Sequence, residues 1–327
     1  MEIKHYGVLP DGTEVLQYVM KTDTTEVRVL NFGGIITDFI YRGRNVVCGF
    51  DTLEDYLTDT SYQGALIGRF ANRIGGASFD IDGNTYRVNA NEGKNTLHGG
   101  IVGFNRRMFT AEALADNSLT LSRLSPDGEE GYPGNLSVSA TYTLVGSALT
   151  ISYTATTDAA TPVSLTNHSY FNLAGVGTSV LDFPTAIYAD RYTAVDDELI
   201  PTGEQPAVAG TEYDLRTPRR IGEKEGGFDH NFILTERAND GRPTPAATVS
   251  GGGLTLTVST TQPCIQFYTG CVLEGEPAFR GGVPKARFTA FCLETQAEPN
   301  APRKGDAILR PGEIYAHTTV YEINEGS

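Results

Sequence analysis

Alternation of apolar and polar residues with a period of two recurs along most of the chain. Stretches that begin at Leu119, Leu136, Leu149 and Leu254 carry apolar side chains at every second position, with mainly Ser or Thr between them. Because successive side chains of an extended chain point to opposite faces, this pattern is typical of β-strands with one buried face. The chain is therefore expected to fold mainly as β-sheet.

Short polar or glycine-rich segments separate these stretches. Residues 82–84, 145–148 and 251–253 have the composition of hairpin connections. Helical periodicity is confined to residues 52–57, where Thr52 is a candidate N-cap followed three residues later by an acid. Since no β-α-β alternation occurs, we predict an all-β fold, a large and mostly antiparallel β-sandwich.

The length of the chain leaves the number of domains open. A chain of 327 residues is long for one domain and short for two, although β-sandwiches of about 200–250 residues or more fold as one unit. Hydrophobic residues make up 39% of the chain, enough for a large core, and no linker rich in Pro, Gly or Ser separates two halves. We predict a single domain over residues 1–327.

The charge of the chain restricts its partners. The formal net charge is −15 and the sequence pI is about 4.7, so the protein repels nucleic-acid phosphates and anionic lipids. No apolar run approaches the roughly 18 residues of a membrane-spanning helix, and the first residues lack a secretory signal pattern. We therefore expect no nucleic-acid or membrane partner, a cytoplasmic location, and a monomer or weak homodimer.

The cysteines and histidines do not form a local metal or redox motif. The four cysteines lie in apolar contexts without C-x-x-C spacing, so we expect buried free thiols; two disulfides would be possible only in an oxidising compartment. The histidines are dispersed, and no H-E-x-x-H, G-x-S-x-G or P-loop occurs. A metal site would require convergence of distant residues.

Glu294 places an acid inside the apolar stretch FCLETQ, residues 291–296. An unpaired carboxylate is costly to bury, so Glu294 is expected to have either a partner for its charge or a functional role. In an extended chain Glu294 shares a face with Cys292 and lies opposite Leu293. The small residues on its face indicate a concave space for a polar ligand, and the alternative is a salt-bridged or solvent-facing acid at a strand end.

His168 and Asp229 are further candidates for polar chemistry. His168 lies among hydrogen-bonding side chains in TNHSYFNL and could exchange a proton near neutral pH, or it could be a satisfied core histidine. Asp229 in FDHNF could bind a ligand or cap a loop.

Three other segments carry polar side chains that could belong to a functional site. Gln266 shares a strand face with Cys264, and its buried amide would need partners. His98 precedes a glycine pair, which could be only a turn. Arg73 follows Arg69 by four residues, and the alternative for this pair is a surface turn.

Seven stretches in a fixed order together carry a family resemblance. They are NRI at 72–74, NTLHGG at 95–100, TNHSYFNL at 166–173, FDHNF at 228–232, QFYTG at 266–270, FCLETQ at 291–296 and LRPGEIYAHTTVYE at 309–322. With these motifs the chain resembles the aldose 1-epimerase (galactose mutarotase) family nearly from end to end. The resemblance implies a galactose mutarotase-like supersandwich that interconverts the α and β anomers of a free aldohexose, of galactose or glucose type, without cofactor or metal.

The resemblance also implies roles for individual residues. Glu294 is expected to be the general base on the anomeric hydroxyl, ionised at pH 7 under modest burial, and His168 the acid on the ring oxygen. The expected sugar-binding residues are Asn72, Arg73, His98, Asp229 and Gln266. His98 would either hydrogen-bond the ring oxygen or support His168.

Three other functions compete with this interpretation. A hexose-6-phosphate epimerase would need an additional Arg or Lys cluster for the phosphate. A non-catalytic sugar-binding module would lack the acid or the base, whereas both are present. A glycosidase would use Asp229 and Glu294 as a carboxyl pair that flanks the scissile bond.

Overall fold

Antiparallel β-sheets dominate the structure, as the period-two pattern predicts. A computed structural model of the chain describes residues 1–235 and 240–326. The paired strands of the described sheets all run antiparallel, and the sheets pack as a sandwich around a shared apolar core. The prediction of an all-β sandwich is confirmed.

The largest described sheet, here called the large sheet, has nine strands. In spatial order they are Thr110–Ala115, Ser118–Ser125, Leu136–Val145, Ala148–Thr157, Tyr315–Glu325, Leu254–Thr260, Thr244–Gly251, Pro184–Ile187 and Arg219–Arg220. All four stretches with predicted alternation belong to this sheet. In the strand Leu136–Val145 every second residue, from Leu136 to Leu144, is buried.

Two smaller sheets face the large sheet. The N-terminal sheet contains the strands Glu2–Val8, Glu14–Lys21, Thr25–Leu30, Ile36–Tyr41 and Arg44–Asn45 in that order. The pocket sheet contains the strands Ala189–Tyr192, Asp229–Leu234, Cys264–Tyr268 and Cys292–Gln296 in that order.

Short strand pairs and helical turns complete the described structure. The pairs are Leu66–Ile67 with Thr166–Asn167, Arg73–Ile74 with Thr96–Leu97, Ser78–Ile81 with Asn84–Arg87, Thr161–Pro162 with Ile308–Leu309, and Gly275–Phe279 with Val283–Lys285. The α-helix is Leu53–Thr58, and the 3₁₀ turns are Gly75–Ala77, Phe104–Arg106, Glu129–Gly131, Ile221–Glu223, Arg280–Gly282 and Ala301–Lys304. None of the described helices has the length and apolar character needed to cross a lipid bilayer.

The local signals in the sequence explain the helix and the hairpins. Thr52 caps the helix by accepting from the backbone N–H of Asp55, while the Asp55 carboxylate accepts from the backbone N–H of Thr52. At the tight turn of residues 82–84, both Asp82 and Gly83 adopt positive φ angles, 52° and 80°. This conformation suits a two-residue hairpin, because it matches the twist of the flanking strands.

Tyrosine side chains connect the layers across the core. Tyr321 of the large sheet donates to the carbonyl of Leu293 in the pocket sheet at 3.0 Å, and Tyr142 donates to the carbonyl of Gly34 at 2.9 Å. The largest apolar cluster draws on residues from Tyr18 to Ile323. This continuity supports a single domain over 1–327, which stays a prediction; Ser327 lies outside the described residues.

The four cysteines form no disulfide, and one expectation about their burial is wrong. Cys48, Cys264 and Cys292 are buried and unbridged, as predicted. Cys271 is also unbridged, but it is only half-buried, since its loop follows the end of the strand Cys264–Tyr268. The prediction from the apolar residues next to Cys271 in the sequence therefore overestimated its burial.

A buried ion pair fixes the loop that follows the helix. The Lys285 ammonium lies 2.7 Å from Asp59 Oδ1, and the two side chains are only 2% and 3% exposed. Asp59 also accepts hydrogen bonds from the Ser61 hydroxyl and the Gln63 backbone N–H, at 2.6 and 3.1 Å. The pair therefore anchors residues 59–63, part of which lines the pocket described below.

We predict that Asp59→Asn lowers the free energy of unfolding by about 3–5 kcal/mol, because the Lys285 ammonium would stay buried without a counter-charge. Urea unfolding followed by circular dichroism measures this change. The control is Arg310→Ala, which removes an exposed ion pair with Asp82 and should change stability little. Equal effects of the two substitutions would contradict the assignment of a buried pair.

Candidate active site

The register of the pocket sheet places Glu294 beside polar neighbours. Glu294 pairs with Gln266 on the adjacent strand, and Gln266 pairs with Asn231 on the next. Directly opposed residues of antiparallel strands point to the same face, so these three side chains form one row. A second row on the same face consists of Cys292, Tyr268 and Asp229.

The opposite face of the same strand belongs to the core. Leu293 is buried in the main apolar cluster, and the Thr295 hydroxyl lies 2.5 Å from the hydroxyl of Thr319 in the large sheet. The predicted alternation, with Glu294 and Cys292 on one face and Leu293 on the other, is confirmed. Core packing and polar chemistry thus use alternate residues of one strand.

A cavity of about 290 Å³ lies above the polar face of the pocket sheet. All seven predicted site residues line it: Asn72, Arg73, His98, His168, Asp229, Gln266 and Glu294. A larger cavity of about 770 Å³, beside Tyr315, contains none of them. We assign the candidate site to the smaller cavity, because there Glu294 Oε2 is buried without a hydrogen-bond partner among the described residues.

Glu294 and His168 converge from distant parts of the chain. His168 Nε2 lies 3.5 Å from Glu294 Oε1, and the side chains are 7% and 2% exposed. The backbone fixes His168 on both sides, because its N–H donates to the Ala65 carbonyl at 2.9 Å and its carbonyl accepts from the Gly64 N–H at 3.0 Å. The backbone thus aims the imidazole of His168 at the carboxyl group.

Burial opposes the charged forms of both groups. Desolvation lowers the pKa of His168 to about 4 and raises the pKa of Glu294 well above its usual range. The negative charge of Asp229 raises the pKa of Glu294 further, and the positive charge of Arg73 lowers it. The burial is complete rather than modest, so the pair favours a neutral imidazole and a protonated carboxyl group over an ion pair.

Asn72 and His98 hold each other in place. The Asn72 N–H donates to His98 Nδ1 and the His98 N–H donates to the Asn72 carbonyl, both at 3.1 Å. Because His98 Nδ1 accepts a hydrogen bond and burial keeps the pKa of His98 well below its usual value, the ring proton resides on Nε2. His98 is therefore a hydrogen-bond donor to the pocket.

The same hydrogen bond affects the metal-binding potential of the site. Potential ligand atoms of His98, His168 and Glu294 all lie within 4.8 Å of one another. A histidine ligates a metal ion through a lone pair, whereas Nε2 of His98 carries the proton. The hydrogen bond from Asn72 thus disfavours metal ligation by this cluster.

The remaining predicted residues already have partners within the protein. Gln266 Nε2 donates to Asp229 Oδ1 at 2.7 Å. Arg73 Nε and Nη2 donate to the two carboxylate oxygens of Glu92, at 2.7 and 2.8 Å. Arg69 is buried away from the cavity, where it donates to the carbonyls of residues 125, 126 and 133, so the alternative of a surface pair with Arg73 is wrong.

Several residues of the cavity were not singled out in the sequence. They are Tyr62, Glu92, Tyr170, Tyr268, Val272 and Glu274. The signals for two of them were present, because Tyr268 shares the strand face of Gln266 and Tyr170 follows His168 by two residues. Glu92 and Glu274 lie in irregular segments, where no periodicity indicates which way a side chain points.

Comparisons with known proteins point to one family. A family model described as Aldose 1-epimerase matches residues 17–322. The chain is 44% identical to the galactose mutarotase of Homo sapiens, over 98% of this chain and 97% of that protein, and 36% identical to the aldose 1-epimerase of Escherichia coli (strain K12), over 86% and 85%. The crystal structure of a galactose 1-epimerase from Lactobacillus acidophilus is 27% identical, with a TM-score of 0.89 over 100% of this chain and 99% of that one.

We predict that the His168 ring stays neutral as the pH falls from about 8 to about 5, while the same residue in the urea-unfolded chain titrates near about 6.5. Nitrogen-15 chemical shifts of the imidazole measure both titrations. Since the folded pKa is the lower one, His168 contributes stability above about pH 6.5 that is lost as the pH falls toward about 4. A folded-state midpoint near that of the unfolded chain would contradict the assignment.

Proposed function

Because the chain belongs to the aldose 1-epimerase family, we propose that it interconverts the α and β anomers of a free aldohexose, with Glu294 as base and His168 as acid. The observation that carries this proposal is the buried, unpartnered Oε2 of Glu294 on the carboxyl group that lies 3.5 Å from His168 Nε2. A sugar hydroxyl would supply the missing hydrogen bond. Galactose is the first sugar to test, since the human relative is named a galactose mutarotase.

In the proposed reaction the Glu294 carboxylate removes the proton of the C1 hydroxyl while protonated His168 donates to the ring oxygen O5. The O1–H electrons form the C1=O1 bond, and the C1–O5 electrons remain on O5, which becomes a hydroxyl. After rotation about C1–C2, His168 removes the O5 proton, O5 attacks the other face of C1, and Glu294 returns a proton to O1. Acid and base catalysis each contribute typically about 10²–10⁴-fold.

The number of protons held by Glu294 and His168 together is consistent with the proposed proton transfers. Glu294 and His168 share one proton, which burial places on the carboxyl group. The reactive arrangement has this proton on His168 instead, and ring opening returns the pair to the neutral form. A hydroxyl that donates to Glu294 stabilises the carboxylate, so substrate binding favours the reactive arrangement.

The other lining residues would hold the sugar. Asp229 and Gln266 present an acceptor and an amide to hydroxyl groups, and Arg73 Nη1 is not used by the ion pair with Glu92. Asn72 fixes the donor face of His98, which supports a hydrogen bond from His98 to the ring oxygen. We propose these five residues as the binding shell; the cytoplasmic location and the monomer or weak homodimer stay predictions.

The geometry favours epimerisation over glycoside hydrolysis. A glycosidase needs two carboxyl groups that flank the scissile bond. Asp229 and Glu294 instead project from one face of the same sheet, and Asp229 already accepts a hydrogen bond from Gln266. We therefore propose no role for Asp229 beyond substrate binding.

We predict that Glu294→Gln and His168→Ala each lower kcat for mutarotation by about 10²–10⁴-fold, because each removes one proton-transfer group. Polarimetry of freshly dissolved α-D-galactose and α-D-glucose measures the rates. The control His5→Ala removes an exposed histidine that does not line the cavity and should leave the rate unchanged.

Thermal unfolding of each variant shows whether the fold is retained. Near-normal turnover in a folded Glu294→Gln or His168→Ala variant would refute the assigned roles. If the unaltered protein does not accelerate equilibration beyond the buffer rate, the epimerase proposal fails and a sugar-binding module is favoured.

A further inference from the structure

The candidate pocket is strongly acidic for a sugar site. Among the described residues that line it, Arg73 is the only arginine or lysine. Carboxyl groups are supplied by Glu92, Asp229, Glu274 and Glu294. Two of them, Glu92 and Glu274, have no part in the proposed proton transfers or in the binding shell, so their presence needs a separate explanation.

Glu92 occupies one two-donor edge of the Arg73 guanidinium, formed by Nε and Nη2. Both carboxylate oxygens contact it, Oε2 at 2.7 Å from Nε and Oε1 at 2.8 Å from Nη2. A guanidinium presents this two-donor fork equally well to a carboxylate and to a phosphate. While Glu92 holds the fork, a phosphate group cannot make the same paired contact.

Hydrogen bonds hold the backbone around Glu92 in place, while its side chain is 37% exposed. Its N–H donates to the Asn95 carbonyl at 3.1 Å, and the Asn95 N–H donates to the Glu92 carbonyl at 2.9 Å. The adjacent Asn91 side chain donates to the carbonyls of Leu97 and Gly100, both at 2.9 Å. This turn leads into the strand that pairs with Arg73, so the backbone places the Glu92 carboxylate beside the Arg73 guanidinium.

The charge of Glu92 also acts on Asp229, a carboxyl group of the proposed binding shell. Arg73 lowers the pKa of both Asp229 and Glu294, and Glu92 raises the pKa of Asp229. By offsetting the guanidinium charge, Glu92 reduces the attraction of the pocket for anions and opposes the effect of Arg73 on the pKa of Asp229.

We propose that Glu92 is a specificity-determining residue, which occupies the Arg73 fork and thereby restricts the pocket to unphosphorylated sugars. The inference rests on the proposed function, since it concerns the substrate class of the same site. Glu274, an exposed acid of the same cavity, adds repulsion without contacting the fork. The chemistry excluded is that of a hexose phosphate monoester, which carries both the sugar ring and a divalent anion.

The test is Glu92→Gln, which keeps the size of the side chain and one acceptor oxygen but removes the charge. Titration calorimetry with galactose 6-phosphate and with galactose gives both dissociation constants at fixed ionic strength. We expect the affinity for the phosphate ester to rise about tenfold or more, because a two-donor, charge-assisted contact becomes possible. The affinity for galactose should stay equal or fall.

The matched controls distinguish the effect of freeing the Arg73 fork from the effect of removing a negative charge and from a structural effect of the substitution. Glu274→Gln removes one negative charge from the same cavity without freeing Arg73, so its gain in phosphate affinity should be clearly smaller. Glu92→Asp keeps the charge with a shorter reach and should retain most of the discrimination, which also provides a second variant if Glu92→Gln does not fold. If the role of Glu92 were purely structural, its substitution would weaken the binding of galactose and of galactose 6-phosphate to the same extent.

An unchanged or lower affinity of folded Glu92→Gln for galactose 6-phosphate overturns the proposal, and so does an equal gain in Glu274→Gln. These measurements use binding and not turnover. Absence of mutarotation by the unaltered protein would refute the proposed function while the comparison of affinities still decides the role of Glu92.

Discussion

The register of the strand Cys292–Gln296 against the strand Cys264–Tyr268 is the constraint on which the site depends. A shift of one residue would turn Glu294 into the core and Leu293 into the cavity, because side chains alternate strictly between faces. The apolar contacts of Leu293 and the hydrogen bond from Tyr321 to its carbonyl oppose such a shift. Packing in the core therefore determines the position of the proposed base. The large sheet supports the site through these contacts, although none of its residues is proposed to bind or react with the substrate.

Backbone strain is present around the same cavity. Tyr62, Asn72 and His98 adopt positive φ angles of 59°, 66° and 51°, which cost non-glycine residues about 1–3 kcal/mol each. All three line the cavity. The surroundings compensate for this cost: Asn72 and His98 hydrogen-bond each other through backbone and ring, and the Asp59–Lys285 pair anchors the segment that contains Tyr62. These three strained residues bring their side chains to the cavity from separate loops.

The sequence predicted the regular parts of this arrangement and not the irregular ones. Period-two alternation was sufficient for strands such as Leu136–Val145 and for the shared face of Glu294 and Cys292, because it follows from local geometry alone. The ion pair of Arg73 with Glu92 could not be predicted in this way, since it depends on how a turn packs against a distant strand. The extent of burial of Glu294 was underestimated for the same reason, as its neighbours come from all parts of the chain.

The position of the strand Tyr315–Glu325 has a consequence for biosynthesis. This strand follows every other described strand in the chain, yet it lies in the interior of the large sheet, between Ala148–Thr157 and Leu254–Thr260. Until it is translated, the growing polypeptide holds two half-sheets whose unpaired edges are open to intermolecular association. A nonsense mutation shortly before codon 315 would leave every lining residue of the cavity encoded and would still yield a chain prone to aggregate. The large sheet can close only after the ribosome has released residues 315–325.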